Sequence, residues 1–366
     1  MRSLAIETLS VRDLRNLSSV DLTLGPRFNV LAGDNGQGKT NLLEALYLLA
    51  TSRSFRTSKL SDLLGSSDQV ASIRAQVREG DEVRVQSVGL RSGFRLVRLD
   101  GKRPVSLAEY AVRTPIVVFH PAVLSLTLGS GSERRKLLDR ISLYLSPSSF
   151  AEGEAYAKAM RARQRVLELR GESAADLVEW EALLTRHGLA LSRARESAAE
   201  RLGPLAVRAF GRIGPAGLEL SVRYERSAPD DAEAFRTMLA QSRRVDRVRG
   251  SARVGPHRDD LALVLGDRPV RSTASQGQHR AVVLALELGE MQVIAEARGV
   301  RPILLLDDVS SELDRARTAA LFRALDEEGE GQVIVTTTRP ELVDTKSSAG
   351  EDRCDFAVVE GQVMAR

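Results

Sequence analysis

Cysteine is almost absent from this sequence of 366 residues, in which Cys354 is the only one. A single cysteine excludes an intrachain disulfide framework and a cysteine-based zinc cage, as expected for a reducing compartment. Long apolar runs are also missing, since no stretch approaches the roughly 18 apolar residues that span a bilayer. Residues 1–13 include charged side chains and lack the apolar core of a signal peptide. We therefore expect a cytoplasmic protein without membrane contact.

Aromatic residues are scarce, at 4% of the chain. A surface that stacks successive bases needs more of them, so any contact with nucleic acid should be to phosphates. The formal net charge is only +4, but the basic residues are clustered. Each cluster fits either a solvated helix face or a polyanion-binding surface. The three clusters are Arg53, Arg56 and Lys59; Arg161, Arg163, Arg165 and Arg170; and Arg243, Arg244, Arg247, Arg249, Arg253 and Arg258.

The pattern of apolar residues predicts an α/β protein. Short strands, a glycine-containing loop and an apolar helix open the chain, and alternation over 72–105 with a turn at Asp100-Gly101 predicts an antiparallel sheet. Between 147 and 213 the apolar residues recur at helical spacing, which predicts two helical arms. With about 30 residues in each arm, the lobe would extend by about 45 Å.

The segment from Gly33 to Thr40 fits the phosphate-binding loop pattern, in which glycines let main-chain N–H groups surround phosphates at the start of a helix. Lys39 would reach the β- and γ-phosphates of ATP, and the Thr40 hydroxyl would bind Mg²⁺. A glycine turn that only begins a helix is the alternative. The predicted nucleotide-binding residues of the loop are Gly33, Asp34, Asn35, Gly36, Gln37, Gly38, Lys39 and Thr40.

A second chemical element is the apolar run from Ile303 to Leu306, which ends in Asp307 and Asp308. Asp307 would hold the hydration shell of Mg²⁺, and Asp308 would face the γ-phosphate and polarise or orient the attacking water. Lys39 and Asp308 are therefore the predicted catalytic residues. An apolar strand that ends in two carboxylates is also common as a purely structural feature.

Ser275, Gly277 and Gln278 stand immediately before an apolar-periodic stretch, where the N–H groups of a helix N-terminus favour an anion. Alone, these residues indicate a helix cap. Their position about 30 residues before Asp307 is the order found in ATP-binding-cassette heads. In such heads the signature helix of one subunit closes on the γ-phosphate held by the other. The segment 311–314 fits the loop that crosses to the partner.

With these motifs in this order, the chain resembles the RecF family of bacterial DNA-repair ATPases, related to the structural-maintenance-of-chromosomes heads. The resemblance extends over essentially the whole chain and includes motifs outside the nucleotide site. These are Leu14-Arg15-Asn16, Arg53 to Arg56, Val117 to Pro121, Arg134 to Asp139, Gly255 to Asp260 and Leu306 to Asp314.

The resemblance implies an ABC-type ATPase head with a mixed or antiparallel β subdomain and a helical lobe. Residues 1–146 and 214–366 would form the two parts of the ATPase domain, and 147–213 the inserted lobe. It also implies ATP-dependent homodimers on double-stranded and on gapped or single-stranded DNA, with weak DNA-stimulated ATP hydrolysis. Action with RecR and RecO to load RecA at single-strand gaps, and support of SOS induction, follow from the same resemblance.

Individual positions depart from the family pattern: Ala122 replaces an acidic residue, Ser132 a proline and His279 a glutamine. Thr338 stands where transport-type cassettes have a histidine, so its predicted role as a γ-phosphate sensor is open. Arg15 would border the adenine or the phosphates. Three roles are open for His257: a ligand, a catalytic base, or a structural histidine that is buried or near DNA.

Two other functions share parts of this pattern. A nucleotide-binding subunit of an ABC transporter would also contain the loop, the signature and the carboxylate strand, but the arginine-rich lobe and Thr338 argue against it. A small-molecule kinase would use the phosphate loop but does not explain a signature helix before the carboxylates.

Overall fold

The computed structural model describes residues 1–65, 70–308, 318–319, 321–323, 325, 331–343 and 353–366. The chain forms two compact units. The first consists of Met1–Val123 and Glu290–Arg366, and the second of Leu124–Gly289. The predicted helical lobe, 147–213, falls within the second unit, while the predicted three-part division of the chain stays a prediction.

A six-stranded mixed sheet lies in the first unit. Its strands are β3 (Phe28–Ala32), β7 (Ile116–Phe119), β11 (Ile303–Asp307), β12 (Val333–Thr337), β13 (Arg353–Val359) and β14 (Gln362–Ala365). The spatial order is β14, β13, β3, β12, β11, β7, and only the pairing of β13 with β14 is antiparallel. Every residue of β3, β7, β11 and β12 is buried, as expected of parallel strands covered on both faces.

The first unit also contains a five-stranded antiparallel sheet. Its strands are β1 (Leu4–Leu14), β2 (Leu17–Thr23), β4 (Val70–Glu79), β5 (Glu82–Arg91) and β6 (Phe94–Leu99), and their spatial order is β2, β1, β4, β5, β6. Buried and exposed residues alternate along β4, so one face joins the core and the other meets solvent. The predicted turn at Asp100-Gly101 is confirmed, because Leu99 bridges to Lys102 across it.

Helix α1 (Lys39–Thr51) shares a hydrophobic core with the inner face of this antiparallel sheet. The helix is apolar on nearly all sides, and ten of its thirteen residues are buried. Further helical elements among the described residues of this unit are α2 (Leu107–Ala111), the 3₁₀ turns Leu60–Leu63 and Pro340–Leu342, and the end of α9 (Gln276–Arg298). A further turn, Pro121–Leu124, ends at the boundary with the second unit.

The second unit is mainly helical, with a small antiparallel sheet in the order β10, β9, β8. Its elements are α3 (Ser125–Leu128), α4 (Gly131–Leu145), α5 (Ser148–Arg170), α6 (Leu177–Ile213), β8 (Leu220–Glu225), α7 (Ala232–Arg249), the 3₁₀ turn Pro256–Arg258, β9 (Asp260–Leu265), β10 (Arg268–Pro269), α8 (Val270–Thr273) and the start of α9 (Gln276–Arg298).

The two predicted arms are confirmed as helices α5 and α6, but they are unequal, with 23 and 37 residues. The first arm ends early because Gly171 adopts a positive φ of 84°, a conformation that favours glycine and stops a helix. None of the helices in the described part of the chain has the length and hydropathy needed to cross a membrane.

Candidate functional site

The predicted loop lies between the buried strand β3 and helix α1, so the expected order of strand, loop and helix is confirmed. Gly36 and Gly38 have positive φ angles of 82° and 108°, which strain any residue with a Cβ. Gly33 has a different constraint: a Cβ placed on it would lie 2.3 Å from the carbonyl oxygen of Val358. All three glycines of the loop are therefore required: two by their main-chain conformation and one by the close approach of Val358.

Lys39, the first residue of α1, extends over the loop. Its Nζ donates to the main-chain oxygens of Gly33 and Asp34, both at 2.7 Å. Burial lowers the pKa of Lys39, while the neighbouring carboxylates of Asp308, Asp307 and Asp34 act in the opposite direction. The ammonium group is thus positioned at the mouth of the loop by acceptors that a phosphate oxygen could replace.

Asp307, the last residue of β11, is hydrogen-bonded to Thr40, the second residue of α1. The Thr40 hydroxyl donates to its Oδ1 at 2.9 Å, and the Thr336 hydroxyl donates to the same oxygen at 2.8 Å. Asp307 is only 5% exposed, and burial raises its pKa although both hydroxyl bonds lower it. Thr336, on β12, was not found by sequence reasoning; its one signal is a hydroxyl directly after the apolar part of a strand that ends in two threonines.

Asp308 follows with a positive φ of 48°, which is unusual for a residue other than glycine. Its N–H donates to the Thr336 hydroxyl at 3.0 Å, so Thr336 contacts both carboxylate residues.

The side-chain oxygens of Thr40 and Asp307 are suitable ligands for Mg²⁺. A hydroxyl and a carboxylate, the Thr40 and Asp307 side chains, meet at 2.9 Å, and hard oxygen ligands are those that Mg²⁺ prefers. The described residues contain no group of three or more His, Cys, Asp or Glu side chains that could hold a metal by themselves. Mg²⁺ is usually held by one or two protein oxygens together with water and substrate phosphates.

Two turns from elsewhere in the first unit support the loop. The Gln37 side chain accepts from the N–H of Glu360 at 2.6 Å, and the Gln37 main-chain oxygen accepts from the N–H of Gly361 at 2.8 Å. Both donors belong to the turn between β13 and β14. On another side of the loop, a Cβ on Gly38 would lie 2.9 Å from Oδ1 of Asn16. Sequence reasoning missed these supports because they come from both ends of the chain.

Arg15 is held by a buried carboxylate. Its guanidinium pairs with both oxygens of Glu44, which is 0% exposed and lies on α1, and Arg56 and the Ser54 hydroxyl contact the same carboxylate. Glu44 was also missed, because an acidic residue within an apolar helix resembles an ordinary surface position. The predicted contact of Arg15 with the nucleotide stays a prediction.

Comparison with known proteins identifies the family. The family described as RecF/RecN/SMC N terminal domain matches residues 5–351. The DNA replication and repair protein RecF of Anaeromyxobacter sp. (strain Fw109-5) is 38% identical over 365 residues, 97% of this chain and 98% of that relative. The protein of the same name from Myxococcus xanthus (strain DK1622) is 37% identical over 381 residues, 100% of this chain and 98% of the relative. The chain belongs to the RecF family.

A solved member of the RecF family has the same architecture. The structure of the recombination mediator protein RecF-ATPrS in the RecFOR pathway matches with a TM-score of 0.88 and 27% identity, covering 99% of this chain and 98% of that one. The predicted fold, an ABC-type ATPase head, and the predicted role, a DNA replication and repair ATPase, are confirmed. The alternatives of a transporter subunit and a small-molecule kinase receive no support.

The signature residues of this RecF-family chain lie in the second unit, at the start of α9. The N–H of Gln278 donates to the Ser275 hydroxyl at 3.3 Å, and the Ser275 N–H donates to the Gln278 side chain at 2.7 Å. This reciprocal pair caps the helix and confirms that it begins here. Ser275 is exposed, and Gly277 follows it in the first turn.

Two further predicted elements have different outcomes. Thr338 follows the end of β12 and is exposed, and its sensor role stays a prediction. The crossing loop predicted at 311–314 lies outside the described residues.

His257 in the second unit has partners at both ring nitrogens. Nδ1 is 2.7 Å from the Tyr156 hydroxyl and Nε2 is 2.9 Å from the main-chain oxygen of Ala252. Because Nε2 must donate to the carbonyl, Nδ1 accepts from the tyrosine. Burial lowers the pKa of His257, which favours this neutral form. Of the three predicted roles, the geometry favours the structural one.

Proposed function

We propose that this RecF-family chain binds ATP with Mg²⁺ at the loop from Gly33 to Thr40 and uses slow hydrolysis as a switch that pairs two copies on DNA. One observation carries the proposal. The Thr40 hydroxyl, from the helix after the loop, and the Asp307 carboxylate, from a strand far along the chain, meet at 2.9 Å beside Lys39.

Each side chain has a distinct task in this proposal. The loop's main-chain N–H groups and the Lys39 ammonium would bind the β- and γ-phosphates in place of the two carbonyl oxygens that Lys39 now contacts. Mg²⁺, when bound, would be held by Thr40 and Asp307 and would neutralise charge on the phosphates. Asp308 would orient the attacking water and accept its proton.

Pairing would complete each nucleotide site. Ser275, Gly277 and Gln278 of a second copy would contact the γ-phosphate, since an exposed helix N-terminus offers N–H donors to an anion. Thr338 would sense the same phosphate, and Arg15 would border the nucleotide. The relative named RecF-ATPrS supports ATP as the nucleotide class.

The DNA-repair role of the family suggests the partners. Double-stranded DNA and gapped or single-stranded DNA would be bound by the paired form. RecR, RecO and RecA are the expected protein partners, with RecA loading at gaps and support of SOS induction as the outcome. The relative described as a recombination mediator in the RecFOR pathway supports this assignment.

The oligomeric state tests the switch directly. Light scattering after size exclusion should detect monomers without nucleotide or with ADP, and dimers with ATP and Mg²⁺, more so when gapped duplex DNA is added. Lys39→Met and Asp307→Asn should abolish the ATP-dependent dimer. Ser275→Arg should bind ATP as a monomer but fail to pair. Normal dimers of Ser275→Arg in ATP would exclude the closed-dimer mechanism.

A further inference from the structure

The three basic clusters have different environments in the folded chain. In the cluster 161–170, Arg163 is 1% exposed and pairs with the buried carboxylates of Glu181 and Asp246. In the cluster 53–59, Arg56 pairs with the buried Glu44. Other members of both clusters, such as Arg161 and Arg165, are exposed. The cluster that begins at the end of α7 nevertheless has more exposed arginines than either of the other two.

Asp246, the only carboxylate in the segment 243–253, faces the interior. It is 0% exposed and accepts from Arg163 at 2.8 Å, from the Ser242 hydroxyl at 2.6 Å and from the main-chain N–H of Arg253 at 3.0 Å. Arg243, on the same helix, is compensated by Glu181. The acidic group nearest in sequence therefore cannot neutralise the arginines on the outside.

Four arginines of this segment remain on the surface, and we call them the α7 surface: Arg244, Arg247, Arg249 and Arg253. All four are exposed, and within the ranges that the structure describes their side chains make no ion pair. Between them Val248 is 82% exposed, so this part of the helix is not covered by its own chain. The segment 243–253 holds five arginines and one aspartate, an excess equal to the formal net charge of +4 of the whole chain.

We propose that the α7 surface is a contact site for the phosphate backbone of DNA. Guanidinium groups bind phosphate oxygens with two parallel hydrogen bonds, and the counterions released from the DNA drive the association. Arg244 and Arg247 lie three residues apart on the helix, so their side chains project from neighbouring positions on its surface. A site of this kind reads no bases, which agrees with the scarcity of aromatic residues. The inference rests on the proposed DNA-binding function and names the surface that would carry it.

A simpler explanation exists for part of the pattern. Arg247 and Arg249 occupy the last turn of α7, where a cation stabilises a helix by about 0.3–1 kcal/mol. That role does not account for Arg244, which precedes the last turn, or for Arg253, which follows the helix. It also predicts a change in thermal unfolding and none in DNA affinity, so the two explanations can be separated.

The test compares two double variants with matched loss of charge. Arg244→Gln with Arg247→Gln removes half of the α7 surface. Arg74→Gln with Arg91→Gln removes two exposed arginines, also without ion pairs among the described residues, from the solvent face of β4 and β5. Fluorescence anisotropy with labelled gapped duplex DNA and ATP, at several salt concentrations, gives the affinity and its salt dependence. Trp180 fluorescence during urea unfolding confirms that the second unit of the α7 variant is folded, and binding of labelled ATP confirms the same for the first unit of the control.

The expected result is at least a tenfold weaker affinity at low salt for the α7 double variant. The slope of log affinity against log salt should also fall by about 0.9 for each phosphate that the variant no longer neutralises. The control should bind nearly as the wild type does, and Arg244→Lys with Arg247→Lys should restore most of the slope. An unchanged slope in the α7 variant, or equal losses in both variants, would overturn the site but leave the proposed function intact. A wild-type chain that binds no DNA would instead overturn the proposed function.

Discussion

Two buried charged clusters, one in each unit, use similar groups in different ways. In the first unit, the amino group of Lys39 donates to main-chain oxygens, and Asp307 accepts from the hydroxyls of Thr40 and Thr336. In the second unit, the Arg163 guanidinium pairs directly with the carboxylates of Glu181 and Asp246. The first cluster satisfies its charges with neutral groups, whereas the second satisfies them with opposite charges.

The difference is the one expected between the proposed nucleotide site and a structural element. Burial shifts the pKa of Lys39 down and that of Asp307 up, so each charged form is disfavoured until a further charge is supplied. Phosphate and a divalent cation would supply those charges. In the second unit each charge is already neutralised within the fold, and no ligand is required. Perturbed groups with neutral partners are therefore candidate positions at which stability is given up for function.

The largest expected effect is on the ion-pair cluster of the second unit. Arg163→Met should lower the free energy of unfolding by about 3–5 kcal/mol, because Asp246 and Glu181 lose a buried partner. The only tryptophan, Trp180, precedes Glu181 on α6, so its fluorescence during urea unfolding reports on this region.

A matched control for this change is Arg161→Met on the exposed side of the same helix. Surface substitutions usually stay within about 0.5 kcal/mol. Equal losses in the free energy of unfolding for the two variants would show that Arg163 contributes no more than a solvated side chain. The contrast between the charged clusters of the two units would then not hold.

A smaller effect of opposite sign is expected at Asp307. Since burial raises the pKa of this carboxyl, the folded state holds the proton more firmly than the unfolded state does. The wild type is therefore penalised once the pH has risen through the folded-state pKa. Asp307→Asn should raise the stability of the nucleotide-free protein at neutral pH by roughly 0.5–2 kcal/mol.

The pH dependence of thermal unfolding checks the sign. The gain of Asp307→Asn should disappear below the ordinary carboxyl pKa, where the aspartate is protonated in both states. Asp21→Asn serves as the control, because the hydrogen bond from Arg12 lowers the pKa of this exposed carboxyl and its removal should give no gain. A destabilised Asp307→Asn protein at neutral pH would contradict the expectation that burial disfavours the Asp307 carboxylate.

The smallest effect concerns the support of the phosphate loop. Gln37→Ala removes the acceptor for the N–H of Glu360 and leaves the bond between the Gln37 main chain and Gly361. One such hydrogen bond contributes about 1 kcal/mol, so ATP affinity should fall about fivefold. Titration with a fluorescent ATP analogue measures it, with Gln76→Ala on the exposed face of β4 as the control. Equal affinities of both variants would show that the turn does not position the loop.

Much of the fold was predictable because its signals are local. The alternation along β4, the apolar run before Asp307 and the capping residues at Ser275 each lie within one short segment. The unequal lengths of α5 and α6 were not predicted, since the helical spacing continues on both sides of Gly171 and only the main-chain conformation there marks the end.

The sequence alone determined the family of this protein and the chemistry predicted for it, namely which residues would bind phosphates and which would bind Mg²⁺. Tertiary structure decided which other side chains surround them. Thr336 meets Asp307 from 29 positions away, and Asp246 meets Arg163 from 83. Pairings at such separations leave no periodic signal, because they depend on how strands and helices are brought together. For the same reason the sequence grouped Arg163 with exposed arginines, and only the folded chain shows that it is buried and the α7 surface is not.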